Sequence, residues 1–151
     1  INPDTEFPEW TLPFISKLDQ IIVMSVVPGK SGQKYIESTH EKMQRLNQIL
    51  AQHNFDGYIE ADGGVTLDNI GACFMDGARA FVGGSAIIGQ QDVRGVIREF
   101  RNKIAYARRK MLIQKAFELG GKDLVAKWID LHTIGEKKNQ LSSIAKELGF
   151  A

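Results

Sequence analysis

Hydrophobic positions along the chain alternate between two periods. The run QIIVMSVV, Gln20 to Val27, is apolar on both alternating faces, which predicts a parallel strand covered on both sides. From Tyr35 to Gln52, Ile36, Met43, Leu46 and Leu50 share one helical stripe with charged residues elsewhere, so an amphipathic helix is expected. YIEAD, Tyr58 to Asp62, predicts a second strand, ended by Gly63 and Gly64. Thr66 is placed to cap a helix that runs through Met75 and stops at Gly77. AFVGG, Ala80 to Gly84, predicts a third strand that enters Ser85 and a short apolar turn. Asp92 is placed to cap the next helix, in which Val96, Phe100, Ile104, Ala107 and Met111 keep helical spacing.

Strand and helix in strict alternation predict an α/β fold with a parallel sheet, whose right-handed crossovers put every strand's C-terminal end on the same side. Each predicted strand ends there in a glycine-containing loop. In open α/β sheets and in (β/α)8 barrels alike, that is the side where ligands bind. Beyond Met111 the pattern changes. Gly120 and Gly121 break the helix, Leu124, Val125, Trp128 and Leu131 suggest a short amphipathic helix, and Leu141, Ile144, Ala145 and Leu148 suggest another. Gly149 closes that last helix, with Phe150 as its hydrophobic cap contact. The organisation expected is an α/β part over residues 1–104 and a helical C-terminal extension over 105–151.

Composition changes this picture little. The 151 residues are 43% hydrophobic and 25% charged, ordinary for a globular protein with one sizeable core. No stretch approaches the roughly 20 apolar residues of a membrane span, and the start lacks the layout of a secretory signal, so a cytoplasmic protein without a membrane partner is expected. Cys73 is the single cysteine and reads as a small buried hydrophobe on a helix. The net charge of +1 argues for no nucleic-acid partner. Acidic residues nonetheless outnumber basic ones as far as Ile104, and Arg108, Arg109, Lys110, Lys115, Lys122 and Lys127 reverse the balance afterwards. Those basic residues read as a solvated face of the extension, while Trp128, Leu131 and Leu141 are expected to pack on the α/β part or on a second subunit.

Candidate chemistry lies in the three loops. Asp62 at a strand end can act as a general acid/base, as a metal ligand, or both; it can equally cap the following helix from an Asp-Gly turn, and the motif alone leaves both open. Glu60 shares the strand parity of Asp62, one layer deeper, and reads as a buried hydrogen-bond partner. Gly83, Gly84 and Ser85 lead into a helical turn that offers N–H groups and a hydroxyl to an anion, or form a plain tight turn. After Pro28, the segment Gly29, Lys30, Ser31 and Gly32 exposes backbone amides. Lys30 reads by default as a solvated loop lysine, and the alternative is a positive charge near a phosphate. Met24, on the strand before this loop, reads as a core filler.

In this order, VMSVVPGKSGQ, IEADGGV and VGGSAI, each after a strand, resemble the ribulose-phosphate 3-epimerase family of sugar-phosphate epimerases. The family pattern is Met-x-Val-x-Pro-Gly-x-x-Gly-Gln, then Val-Asp-Gly-Gly, then Gly-Ser-Ala. INPDT at the start is similar to the Asn-Pro-Gly-Thr that follows the family's fifth strand. The resemblance covers Ile1 to about Ile104. It implies a ribulose-phosphate-binding (β/α)8 TIM barrel, of which this chain covers roughly strands 6 to 8 and their helices, and inversion at C3 of a ketose phosphate such as D-ribulose 5-phosphate. By resemblance Asp62 is one of two acid/base carboxylates and a ligand of a divalent metal, Zn2+ first, with Fe2+ and Mn2+ as alternatives. Met24 matches a methionine beside the reacting carbons. Gly29, Lys30, Ser31, Gly32, Gly63, Gly64, Gly84 and Ser85 match substrate-binding positions, chiefly those around the phosphate.

The chain departs from the family in two ways. Lys30 and Ser31 replace the usual Phe-Gly, which leaves pentose against hexose phosphate open. A barrel also needs roughly 200 to 250 residues. The resemblance therefore implies a fragment, or completion by another chain, because the missing half would carry the other aspartate, two metal-binding histidines and a substrate-contacting serine. His40, His53 and His132 do not match those histidines and read as surface or packing residues. The partners expected are the sugar phosphate, the missing half of the barrel or a chain that completes it, and further copies in a homo-oligomer. Two alternatives stand beside the epimerase: a non-catalytic sugar-phosphate-binding paralogue, and another phosphate-binding barrel enzyme such as an allulose-6-phosphate 3-epimerase.

Overall fold

A computed structural model describes residues 1–132 and 136–150, with side chains outside 131–136. The packing expected of Leu131 and the role expected of His132 lie outside the described residues. The chain forms two compact units, Ile1–Ile104 and Ala105–Ala151.

In the first unit three parallel strands, β1 (Gln20–Met24), β2 (Tyr58–Asp62) and β3 (Ala78–Val82), lie in the order β1-β2-β3. Helix α1 (Thr39–Gln52) connects β1 to β2, and α2 (Ile70–Met75) connects β2 to β3. Helix α3 (Val93–His132) follows β3. One face of the sheet, with Ile21, Val23, Ile59, Ala61 and Ala78, is buried against Met43, Leu46 and Leu50 of α1, Ile70 and Cys73 of α2, and Phe100 of α3.

The strand QIIVMSVV was expected to be covered on both faces, and here it is covered on one. The crossovers pack on a single side, so Ile22 keeps 36% and Val82 40% of their surface in contact with solvent. On that open face the register sets two rows across the sheet, Ile22–Glu60–Ala80 and Met24–Asp62–Val82. A register shift between Ile59 and Glu60 sets Arg79 apart from the ladder, and its guanidinium caps the Phe74 and Ala78 carbonyls at 2.8 Å each. Glu60, expected as a buried hydrogen-bond partner, is only half-buried, and its side chain makes no hydrogen bond among the described residues.

Element boundaries moved where loops claim the chain ends. Helix α1 begins at Thr39 rather than Tyr35, because the Ile36 N–H is taken by the Ser25 carbonyl at 2.8 Å. Helix α2 begins at Ile70; Thr66 instead starts a turn, accepting the Asp68 N–H on its hydroxyl at 3.3 Å. The Asp92 cap is present, its carboxylate accepting the Gly95 N–H at 2.8 Å. Successive 3-10 turns over Glu9–Lys17, which the periodicity did not predict, bury Ile15.

Two polar side chains of α1 also depart from the amphipathic pattern. Lys42 is buried, its ammonium donating to the carbonyls of Asn2 (2.7 Å), Pro3 and Thr5 (2.8 Å). His40 meets the buried Asp76 carboxylate through Nδ1, and Gln44 donates to the same carboxylate at 2.6 Å, so polar contacts tie α1 to the end of α2. His53 is exposed at the C-terminus of α1, as expected of a surface residue.

The second unit has its own core of Ile113, Ala116, Val125, Ile129, Leu141, Ile144 and Ala145, from α3 and α4 (Glu136–Glu147). Leu141 belongs to that core and Trp128 packs against it. The predicted break is present, since Gly120 and Gly121 leave helical geometry inside α3. Gly149, at φ 75°, ends α4 in a Schellman motif, with the Phe150 N–H on the Ala145 carbonyl at 2.8 Å and the Phe150 ring stacked on Phe117 at 3.9 Å.

Leu46 is 1% exposed at the centre of the first core, so Leu46→Ala is expected to cost roughly 2–5 kcal/mol in urea unfolding, and a loss below about 1 kcal/mol would contradict this packing. Burial pushes the Cys73 thiol up, and its Sγ lies 3.4 Å from the Tyr35 hydroxyl. An aromatic disulfide reagent at mildly alkaline pH should therefore leave Cys73 unmodified in the native protein and label it after denaturation; rapid native labelling would show the thiol to be accessible.

Candidate functional site

Because the strands are parallel, their C-terminal ends share one edge, and the three connecting loops converge there around a cavity of about 690 Å3. Of the residues that the sequence singles out for substrate, catalysis or metal, all but Gly83 line it: Met24, Gly29, Lys30, Ser31 and Gly32 from the first loop region, Asp62, Gly63 and Gly64 from the second, and Gly84 and Ser85 from the third.

The floor comes from the open sheet face. Met24 and Asp62 are register partners, and Val82 completes their row, so the carboxylate is flanked by two apolar side chains. Asp62 is half-buried, and its side chain makes no hydrogen bond among the described residues. The capping alternative falls to another residue. Asn69 Oδ1 accepts the Thr66 N–H at 2.8 Å and its Nδ2 donates to the Gly64 carbonyl at 3.0 Å, closing the turn without Asp62. The Asp62 carboxyl is thus left available to whatever enters the cavity.

Close packing shapes the glycine pair after Asp62. Gly63 has φ 106°, and a Cβ there would lie 2.3 Å from Val26 Cγ2; at Gly64 (φ 65°) it would lie 2.6 Å from the Tyr35 nitrogen. The first loop therefore presses directly on the second, which only glycine allows. The first loop is itself held from within: Gln33 Nε2 donates to the carbonyls of Val27 (2.5 Å) and Lys30 (2.8 Å). Gly29, Lys30, Ser31 and Gly32 stay exposed on the curve so formed. Gly84 and Ser85 open the π-helical turn Gly84–Ile88, also exposed, where the first N–H groups of the turn lack intrahelical acceptors.

Sequence reasoning missed Ser25, Gln33 and Asn69, which hold the loops without facing the cavity as charged groups. Their signal was present in two cases: a serine inside an apolar strand, and an amide one residue after a glycine-rich loop. Charge at the rim is mixed, with Lys30 and Lys34 opposed by Glu37 and Asp68. Among the described residues, no three His, Cys, Asp or Glu side chains are close enough to hold a metal ion, so Asp62 is a single donor here. Among the described residues, no helix is long and apolar enough to cross a membrane.

The strand ends and loops that build this cavity lie within a stretch that is similar to known proteins. The chain is 43% identical over 91 residues to a ribulose-phosphate 3-epimerase of Escherichia coli K12, which is 60% of this chain and 40% of that protein. It is 39% identical over 93 residues to the enzyme of the same name from Buchnera aphidicola of Acyrthosiphon pisum, 62% of this chain and 41% of that protein. To that of Methanocaldococcus jannaschii it is 32% identical over 97 residues, 64% of this chain and 42% of that protein. The chain spans about two fifths of the length of the curated relatives it matches. The profile of the ribulose-phosphate 3-epimerase family matches residues 1–88, more than half of the chain, and the chain belongs to that family.

Proposed function

We propose that this chain supplies one side of the active site of a ketose-phosphate 3-epimerase, interconverting D-ribulose 5-phosphate and D-xylulose 5-phosphate. The observation that carries the reading is the Met24–Asp62–Val82 row: a carboxylate without a structural partner, between apolar neighbours, at the ligand-facing edge of a parallel sheet. In this reading β1, β2 and β3 are strands 6, 7 and 8 of a barrel whose remaining strands lie outside this chain. Two features support it. The open face is partly apolar, as a barrel interior requires, and the outer edge of β1 already receives a parallel partner. There the Ile1 nitrogen donates to the Ile22 carbonyl at 2.7 Å, and the Met24 N–H donates to the Ile1 carbonyl at 2.9 Å.

The chemistry follows from the groups present. Inversion at C3 needs one base to take the proton from one face and one acid to return a proton to the other face of the enediolate. Asp62 serves one face of C3, and the second acid/base group comes from the rest of the barrel. Met24 and Val82 exclude water beside the reacting carbons, which keeps the carboxylate reactive and the enediolate from side reactions. The amides around Gly29–Gly32, Gly63–Gly64 and Gly84–Ser85 receive the substrate, chiefly its phosphate, with Lys30 and Ser31 at the outer rim as the residues that tune substrate length. A divalent cation, Zn2+ before Fe2+ or Mn2+, would stabilise negative charge on the enediolate oxygens. The described residues do not make such a site by themselves, since Asp62 offers one ligand, and no step above depends on it.

Asp62→Asn in the full-length protein keeps the shape and removes the base. Deuterium incorporation from solvent at C3 of D-ribulose 5-phosphate is expected to fall by roughly 10^2- to 10^4-fold, and exchange within about tenfold of the parent would refute the role.

A further inference from the structure

Ser25 is the polar residue in an otherwise apolar strand end, and it is fully buried, on the opposite side of the backbone from Met24 and the cavity. A buried hydroxyl needs a partner, and this one has two. Ser25 Oγ lies 2.6 Å from the Gly63 carbonyl and 3.0 Å from the Asp62 carbonyl. The Ser25 N–H donates to the same Asp62 carbonyl at 2.7 Å, and the Ser25 carbonyl accepts the Ile36 N–H at 2.8 Å. The residue therefore spans from the end of β1 to both peptides that follow the Asp62 side chain.

Packing also holds the two glycines that carry those peptides. Gly63, at φ 106°, has the Val26 side chain where a Cβ would stand, and Gly64 has the Tyr35 backbone there. The carbonyl of Asp62 would keep its bond to the Ser25 N–H if the hydroxyl were lost, but that of Gly63 has the hydroxyl as its partner. The hydroxyl thus acts most strongly on the Gly63 peptide, whose orientation sets the backbone from which Asp62 projects.

We infer that Ser25 is a positioning residue for the Asp62 carboxylate, fixing the Asp62–Gly63 backbone through its hydroxyl without touching the substrate. The inference rests on the acid/base role of Asp62. Ser25 Oγ contacts neither the Gly29–Gly32 nor the Gly84–Ser85 amides, and of the amides that receive the substrate it reaches only the Gly63–Gly64 peptide, so its removal should act on turnover more than on binding.

The test is steady-state epimerisation and C3 proton exchange by the full-length protein carrying Ser25→Ala, Ser25→Thr or Asp62→Asn, each normalised to folded protein by its melting curve. Ser25→Ala is expected to lower kcat roughly 10- to 100-fold, with KM for D-ribulose 5-phosphate within about twofold. Ser25→Thr, which retains the hydroxyl, should recover most of the loss. Should Ser25→Ala fail to fold, Ser25→Cys, with a weak donor in the same place, carries the same expectation. A Ser25→Ala enzyme with parental kcat, a loss confined to KM, or an equal kcat loss in a folded Ser25→Thr variant would each overturn the inference. If Asp62→Asn abolishes exchange while Ser25→Ala does not affect it, the positioning role alone fails; if Asp62→Asn retains exchange, the acid/base reading fails with it.

Discussion

Parallel strands can be joined only by crossovers, and in the first unit every crossover packs on the same side of the sheet. The helices bury Ile21, Val23, Ile59 and Ala61 on that side, and the pleat then commits Ile22, Met24, Glu60, Asp62, Ala80 and Val82 to the other. Much of the rest follows from this one constraint. It puts the strand ends and their loops on one edge, and it leaves the Asp62 carboxylate facing a cavity rather than a helix. A shift of β1 by one residue would turn Val23 toward the cavity and bury Met24 under α1, so the apolar packing of the helices and the composition of the site are the same fact seen from two faces.

The loops are coupled as tightly as the strands. Val26 and Tyr35 of the first loop occupy the space that side chains at Gly63 and Gly64 would need, while Ser25 bonds the carbonyls between them. Gln33 closes the first loop on itself, and Asn69 closes the second. The consequence is a site whose acidic group and whose amide-rich rim are separately supported: the carboxylate by the end of β1, the rim by side-chain amides. Substitutions at Lys30 and Ser31, exposed on the outer curve, leave both supports in place, which is where a loop can vary without disturbing the carboxylate.

How much of this the sequence disclosed depended on the range of the interaction. β2 was read with its observed ends because Tyr58 and Gly63 bound an alternating run, and the Asp92 cap and the Gly149 stop were equally local. β1 was read three residues too long and α1 four residues too early, since Ser25 and Ile36 are claimed by a contact across the loop that periodicity does not report. Burial of Lys42 against three carbonyls is likewise a long-range arrangement with no local signature. The glycine loops were visible as candidates, and their convergence was implied by strand order; the residues that brace them, Ser25, Gln33 and Asn69, became visible only with distances.

The central claim is that the open sheet face is one wall of a sugar-phosphate site with Asp62 at the reacting carbon. A crystal structure of the full-length protein with a bound ketose 5-phosphate tests it most directly. The account predicts C3 of the sugar beside the Asp62 carboxylate, the carbon chain against Met24, and the phosphate against the amides of the glycine loops. A sugar phosphate bound elsewhere, or an Asp62 carboxylate turned into a structural contact with the open face covered by side chains, would contradict it.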